Sequence, residues 1–335
     1  MKKITVLGAG SWGMALAVML NENGFEVKVW DFDKNRANKL SKSRKFDLFK
    51  GLKIPSNIEI SNNLADVLIN ADLVVFAIPS KAVRSLTENI QKKGIKIKNA
   101  LSVVKGIENK TFFRMSELIK KNLKLKDDQV FVLTGPSHAE EVSKKMPTSV
   151  VIAGKDKKKL KILQKIFSNT YFRTYIIEDI VGSEIGGALK NIIAIAAGIC
   201  DGLKLGANTK AALMTRGITE IARLGSKIGG RFDTFYGLSG IGDLIVTCTS
   251  GFSRNRYVGE QIGKGNKCKE ILAKMKMVAE GVPTTKSVYF LAQKKKTQMP
   301  ITEEIFKILY KNKSPRSAVV DLMTRKLRQE KEDVL

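Results

Sequence analysis

The chain has 335 residues, long for one hydrophobic core and suited to two domains. Hydrophobic residues make up 43% of it, enough to fill both cores, yet the longest apolar run, Ile192 to Cys200, has nine residues against the ~18 of a membrane span, so no stable membrane insertion is expected. A net charge of +27 invites a nucleic-acid partner; however, the lysines are scattered, and the runs Lys157-Lys158-Lys159 and Lys294-Lys295-Lys296 lack interleaved aromatics, so they read as solvated faces and no nucleic acid is expected.

Lys3-Ile4-Thr5-Val6-Leu7 is a β-branched run suited to a buried strand, and it empties into Gly8-Ala9-Gly10-Ser11-Trp12-Gly13, after which Met14 to Leu20 reads as an apolar helix. Strand, glycine turn and helix in this order form a dinucleotide fingerprint. Gly8 makes the tight turn, Gly10 lets backbone N–H groups approach a pyrophosphate, and Gly13 lets the helix pack on the strand, with the phosphates on the helix N-terminus. A second strand, Glu26 to Trp30, ends on Asp31, 18 residues past Gly13, where a carboxylate holds adenosine ribose hydroxyls. Lys2-Lys3 precedes no cleavage-like small-residue site, which argues against a signal peptide.

Strand-like runs continue at Asn57 to Ile60, Leu73 to Ile78, Leu101 to Val104, Val130 to Thr134 and Ser149 to Ala153, separated by helix-length segments. This predicts an α/β fold, a Rossmann-like doubly wound sheet. Three strands stop at Pro79-Ser80, Lys105-Gly106 and Gly135-Pro136-Ser137, turns that belong at the carboxyl edge where open sheets bind ligands. The run Lys155 to Lys161 reads as a surface helix. From about Gly182 only helices with Gly-rich joints are expected, which places domains at 1–180 and 181–335, the second all-α.

Lys190 lies in a stretch, Gly182 to Ala197, that is apolar nearly all round. Desolvation lowers a lysine's pKa and readies it for proton transfer; the alternatives are a head that snorkels to solvent or pairs with a buried acid. Gly237 to Asp243 is a glycine-rich loop that hands an acid to the apolar segment Leu244 to Cys248, or forms a flexible joint with Asp243 as N-cap. Ser253-Arg254-Asn255-Arg256 suits either an anion or a helix cap. His138, the one histidine, reads as a loop residue. Cys200, Cys248 and Cys268 are odd in number with no paired spacing, so no metal site or disulfide framework is expected, and a reducing cytoplasm fits.

Taken together, these motifs resemble the bacterial NAD(P)-dependent glycerol-3-phosphate dehydrogenases over almost the full length. The resemblance is carried by Gly8 to Ala17, Val103 to Glu108, Gly135 to Ser137, Ala188-Leu189-Lys190-Asn191, Ala211 to Gly217, Gly240 to Leu244, Ser253 to Arg256 and Glu280-Gly281. It implies reversible hydride transfer between NAD(P)H and C2 of dihydroxyacetone phosphate, giving sn-glycerol 3-phosphate for glycerophospholipid synthesis, by a cytoplasmic homodimer. By position it makes Lys190 the catalytic proton donor and acceptor, assisted by Lys105 and Asp243. Lys105, Gly135, Ser137, Lys190, Asp243, Ser253, Arg254 and Asn255 fall at substrate contacts. Ser11, Trp12, Lys105, Ala139, Arg254, Val278 and Glu280 fall at cofactor contacts, beside Gly8, Gly10, Gly13, Asp31 and Phe32.

Phe32 stands where many relatives carry a His or Arg associated with the 2′-phosphate of NADP. NAD(H) is therefore the expected cofactor, with weaker NADP(H) use through Lys34 or Arg36. His138 replaces the usual aromatic of its loop. Competing readings are another two-domain Rossmann dehydrogenase acting on a hydroxy acid, and a basic nucleic-acid-binding regulator.

Overall fold

The computed structural model describes residues 1–49, 51–275, 277–327 and 329–330, and the chain divides into two compact units. The first comprises Met1–Val104 and Met115–Ile180, the second Lys105–Arg114 and Val181–Leu335.

The first unit is an eight-stranded sheet: β1 (Lys3–Leu7), β2 (Glu26–Trp30), β3 (Glu59–Ser61), β4 (Leu73–Phe76), β5 (Ala100–Ser102), β6 (Val130–Thr134), β7 (Thr148–Ala153) and β8 (Phe172–Ile177), in the order β3-β2-β1-β4-β5-β6-β7-β8. All neighbours are parallel except β6 and β7. Because β1 pairs with both β2 and β4, the winding reverses there, and the turn after β1 opens at the switch point where such sheets bind ligands. The strands of this centre are apolar because both faces are covered; β4 is buried throughout.

The helices of this unit are α1 (Ser11–Glu22), α2 (Lys34–Ser43), α3 (Leu64–Leu68), α4 (Val83–Lys92), α5 (Met115–Asn122), α6 (Ala139–Val142) and α7 (Lys157–Ile166). α1 buries Met14, Leu16, Met19 and Leu20 in the core, each worth roughly 1.5–3 kcal/mol. Asp33 and Asp156 cap α2 and α7 by accepting N–H bonds from the residues two and three further on.

Two expectations for this unit need amendment. The ladders of β4 and β5 stop at Phe76 and Ser102, although Ile78, Val103 and Val104 beyond them are buried; apolarity marks burial, not pairing. β8 is an edge strand absent from the strand-like runs read above, which are apolar runs; Phe172-Arg173-Thr174-Tyr175 instead alternates buried and exposed residues, the signature of a half-buried strand.

The second unit holds α8 (Ile180–Leu203), α9 (Gly206–Lys227), α10 (Asp243–Thr249), α11 (Arg254–Gly263), α12 (Cys268–Lys274), α13 (Gly281–Lys294), α14 (Pro300–Lys311) and α15 (Pro315–Met323). α8 is its axis. By length and composition it could cross a membrane, a point that a search for unbroken apolar runs misses, but its residues from Gly182 to Cys200 are all buried inside the protein. Glycines let α11 press against it: a Cβ on Gly198 would sit 1.9 Å from the Arg256 carbonyl oxygen, and one on Gly259 1.9 Å from that of Ile195. Lys105–Arg114, which the chain inserts between β5 and α5, is fastened within this unit. Arg114 pairs with Glu184 of α8 at 2.6 Å, and Ser287 of α13 donates to the Ile107 carbonyl at 3.0 Å.

Candidate active site

The route by which Lys190 meets an acid begins with a glycine. Gly186 lies one turn before Lys190 on α8, and a Cβ there would come within 2.3 Å of the Ser239 carbonyl oxygen. The absence of a side chain lets the loop after Tyr236 lie flat on α8. That loop makes a π-helical turn, Leu238–Gly242, and runs directly into α10, an irregularity frequent at functional sites. Asp243 is thereby the first residue of α10 and fully buried, with Gly242 in the capping position. Its side chain does not act as the N-cap.

Both Asp243 carboxylate oxygens take an ammonium group. Oδ1 accepts from Lys190 Nζ, and Oδ2 accepts from Lys105 Nζ at 2.8 Å. Lys190 also donates to Thr247 Oγ1 at 2.6 Å, and the Thr247 hydroxyl donates to the Asp243 carbonyl one turn back, at 2.6 Å. Of the two alternatives to a proton-transfer role, snorkelling is ruled out: the head does not reach solvent but stays buried on an acid. Burial pulls the ammonium down to about 7; the attraction of Asp243 opposes this, and Lys105 adds to it. A lysine that gains and loses its proton near neutrality, with two fixed acceptors orienting it, is equipped for general acid–base work. Thr247 was missed on the sequence, where a threonine four residues past an acid carries no special signal.

The Ser253 to Arg256 cluster divides its labour. Ser253 caps α11 by accepting from Arg256 N at 3.2 Å. Asn255 Oδ1, buried, accepts from Gly281 N at 2.8 Å at the start of α13. Arg256 is spent on an acid of the protein itself: its Nε donates to Asp201 at 2.7 Å. Arg254 is exposed. A Cβ on Gly281 would lie 2.6 Å from the Asn191 carbonyl oxygen and 2.9 Å from Asn255 Oδ1. Asn255 and the Glu280-Gly281 corner are therefore brought against α8 beside Lys190. Glu280 precedes α13 as its N-cap residue, and Val278 and Glu280 are half-buried.

In the first unit the glycine turn and Asp31 are drawn together by a Gly8 N–H bond to the Trp30 carbonyl at 2.8 Å. Gly8 adopts φ +116°, and a Cβ on Gly13 would overlap the Gly8 carbonyl oxygen at 1.9 Å; by contrast, a Cβ on Gly10 would meet nothing within 4 Å. Gly8 and Gly13 are thus required by the turn itself, whereas the space over Gly10, at an α1 N-terminus with no side-chain cap, is left for a ligand. Asp31 is buried and accepts from Asp33 N at 3.0 Å. Burial pushes its carboxyl up, against the backbone N–H groups of Asp33 and Ala9 and the charge of Arg36. These features fit the pyrophosphate and ribose of a dinucleotide. Ser11 and Trp12 are half-buried in the first turn of α1, and Phe32 is 79% exposed.

Gly135, at the end of β6, has φ +127°, and the Ser137 hydroxyl donates to its carbonyl at 2.9 Å. His138 precedes α6, whose first residue, Ala139, is buried. No cluster of three or more potential metal ligands occurs among the described residues. Lys157, Lys158 and Lys294 to Lys296 are exposed.

An open sheet with a glycine turn at its switch point, joined to a helical unit that buries a lysine of lowered basicity, defines the class: a nicotinamide-dinucleotide oxidoreductase. Residues 3–160 match the N-terminal region of NAD-dependent glycerol-3-phosphate dehydrogenase and residues 179–320 its C-terminal region. The chain belongs to this family. It is 49% identical to the NAD(P)+ glycerol-3-phosphate dehydrogenase of Thermoanaerobacter sp., over 98% of both chains. The Fusobacterium nucleatum protein of the same description is 45% identical, over 97% of both. The crystal structure of the Coxiella burnetii glycerol-3-phosphate dehydrogenase is similar with a TM-score of 0.91 at 35% identity, covering 96% of this chain and 99% of that one.

Proposed function

We propose that this chain catalyses reversible hydride transfer between NAD(P)H and C2 of dihydroxyacetone phosphate, giving sn-glycerol 3-phosphate. The observation that carries this reading is the buried Lys190, held by Asp243 and Thr247 with its pKa near 7. The first unit is the cofactor domain and the second the substrate and catalytic domain. Gly8, Gly10, Ser11, Trp12, Gly13, Asp31 and Phe32 serve the dinucleotide, with Lys105, Ala139, Arg254, Val278 and Glu280 as further cofactor contacts. Bound nicotinamide supplies the hydride.

The chain's own residues manage the proton. Charge that develops on the C2 oxygen is neutralised by a proton from Lys190 Nζ, and in the reverse direction the neutral amine takes it back. Asp243 fixes the position of Nζ and offsets the burial that would otherwise strip its charge. Lys105, on the other carboxylate oxygen, adds positive potential to the same centre. Arg254, with Ser253 and Asn255, anchors the substrate phosphate, and Gly135 and Ser137 complete the substrate contacts. The basic surface draws anionic substrates toward the protein. The homodimer, the cytoplasmic location and the supply of glycerophospholipid synthesis follow the family resemblance. Purified protein given dihydroxyacetone phosphate and NADH should oxidise the cofactor, followed by its absorbance; no turnover with either nicotinamide overturns the reading.

A further inference from the structure

A second acid engages two cations in the helical unit, and the proton chemistry does not use it. Asp201 follows Lys190 on α8 by eleven residues, about three helical turns, and so lies on the same face of that helix. Its Oδ2 accepts from Arg256 Nε at 2.7 Å, and its Oδ1 takes the ammonium group of Lys210 on α9. One carboxylate thus ties three helices together. All three side chains are only about one-fifth exposed, which screens these pairs less than surface ones. Arg256 is the third residue of α11, directly after Arg254 and Asn255. Its N–H is the one that Ser253 caps, and its carbonyl oxygen occupies the space a Cβ on Gly198 would need. A turn further on, a Cβ on Gly202 would stand 2.3 Å from the Glu260 carbonyl oxygen. Glycine contacts of this kind bring α11 close to α8 without fixing where along it α11 stops. The directional, charge-assisted bond from Arg256 to Asp201 supplies that register. The other acid near the guanidinium, Glu260 at 4.0 Å, belongs to α11 itself and cannot locate it against α8.

We infer that Asp201 is a positioning residue for the phosphate anchor: through Arg256 it holds the first turn of α11, and with it Ser253, Arg254 and Asn255, where they meet the substrate phosphate. The inference rests on the proposed reaction and deepens it. Asn255 is tied on its other side to Gly281 N at the start of α13, so the anchor is clamped between α13 and α8. Asp201 also sorts the cations. Arg256 and Lys210 are engaged on it, and Arg254 is left for the phosphate. Because the phosphate does not react, its contacts are made alike in the ground state and the transition state, and loosening them acts on KM more than on kcat. Asp201 itself takes no part in the proton transfer at Lys190.

Steady-state kinetics of the intact protein with dihydroxyacetone phosphate, and competition by inorganic phosphate against that substrate, test this. Asp201→Asn keeps the side chain's size and removes its charge. It should raise KM about tenfold, the scale of one charge-assisted hydrogen bond, and leave kcat within about threefold. The inhibition constant of inorganic phosphate should rise by the same factor as KM, which locates the effect at the phosphate and not at C2. Arg256→Gln leaves the Asp201–Lys210 pair intact, and so serves if Asp201→Asn does not fold; it should raise KM and the phosphate inhibition constant alike. Arg256→Lys, which keeps a charge for Asp201, should recover part of the loss. The double variant Asp201→Asn/Arg256→Gln should cost no more than the larger single loss, because the acid acts through the arginine. A wild-type KM in Asp201→Asn or Arg256→Gln, a fall in kcat with KM unchanged, or losses that multiply in the double variant overturn the inference while the reaction stands. If the wild-type protein does not turn over dihydroxyacetone phosphate, the proposed reaction fails first and takes this inference with it.

Discussion

Two carboxylates of the second unit are equally deep and do opposite things. Asp243 is fully buried, and its oxygens are divided between the ammonium groups of Lys190 and Lys105. Glu220, on α9, is 3% exposed; it accepts from Ile301 N at 2.6 Å and from Thr302 N and Oγ1 at 3.2 Å, capping α14 from another helix. Burial pushes the Glu220 carboxyl up to about 7, against the N–H groups and Arg223. Depth alone therefore does not mark chemistry. A buried acid on backbone N–H groups holds a helix end, whereas one on movable ammonium groups sets their protonation.

The comparison breaks most sharply at Lys190. Lys190→Ala should lower kcat by about 10²–10⁴-fold, the usual range for a lost general acid–base group, while NADH titration stays near wild type; near-normal turnover would remove Lys190 from the mechanism. Asp243→Asn should cost about a hundredfold in kcat/KM, or roughly 2.7 kcal/mol. It should also move a pH limb. Reduction needs the ammonium, so its rate falls as pH rises past about 7; without the Asp243 charge the Lys190 pKa drops further and that limb shifts to lower pH. A limb that stays in place would show that Asp243 does not set the protonation of Lys190. Thr247→Val removes one hydrogen bond to Nζ and should cost about tenfold in kcat, in line with ~1.4 kcal/mol for a bond to a charged group.

The parts of this molecule that were legible in its sequence are those whose signal is local. Gly8, Gly10 and Gly13 act within one turn, and Lys190 stands out against its own apolar helix. Residues whose role depends on a distant partner left no such mark. Glu220 reads like any acid on an amphipathic helix until Ile301, 81 residues later, brings a helix end to it. Arg36 reads as a cation near the cofactor ribose, but its bond to the Ala9 carbonyl, 27 residues back, exists only once the turn closes. Lys105–Arg114 looks like a loop between strands, and its attachment to α8 and α13 rests on pairs formed across the chain, Arg114 with Glu184 and Ser287 with Ile107. The edge strand β8, with Arg173 and Tyr175 outward, alternates buried and exposed residues and so lacks the unbroken apolar run that marks the central strands.

Glu220 supplies the smallest effect and the opposite sign to an ordinary paired acid. In the folded protein its carboxyl keeps its proton up to about 7, while in the unfolded chain it releases it near its ordinary value of 4.5. Between those limits the folded state binds the additional proton, so this group's contribution to stability declines as pH rises and reaches its full penalty above 7. The slope can reach at most one proton, ~1.4 kcal/mol per pH unit. Glu220→Gln keeps an oxygen for the Ile301 and Thr302 N–H groups and cannot ionise. Its unfolding free energy, followed by urea titration from pH 5 to 7, should be flatter with pH than that of the wild type, at unchanged kcat. Parallel curves would mean that Glu220 stays ionised in the fold, with the α14 N-terminus alone holding its charge; a fall in kcat like that of Asp243→Asn would erase the distinction between the two acids.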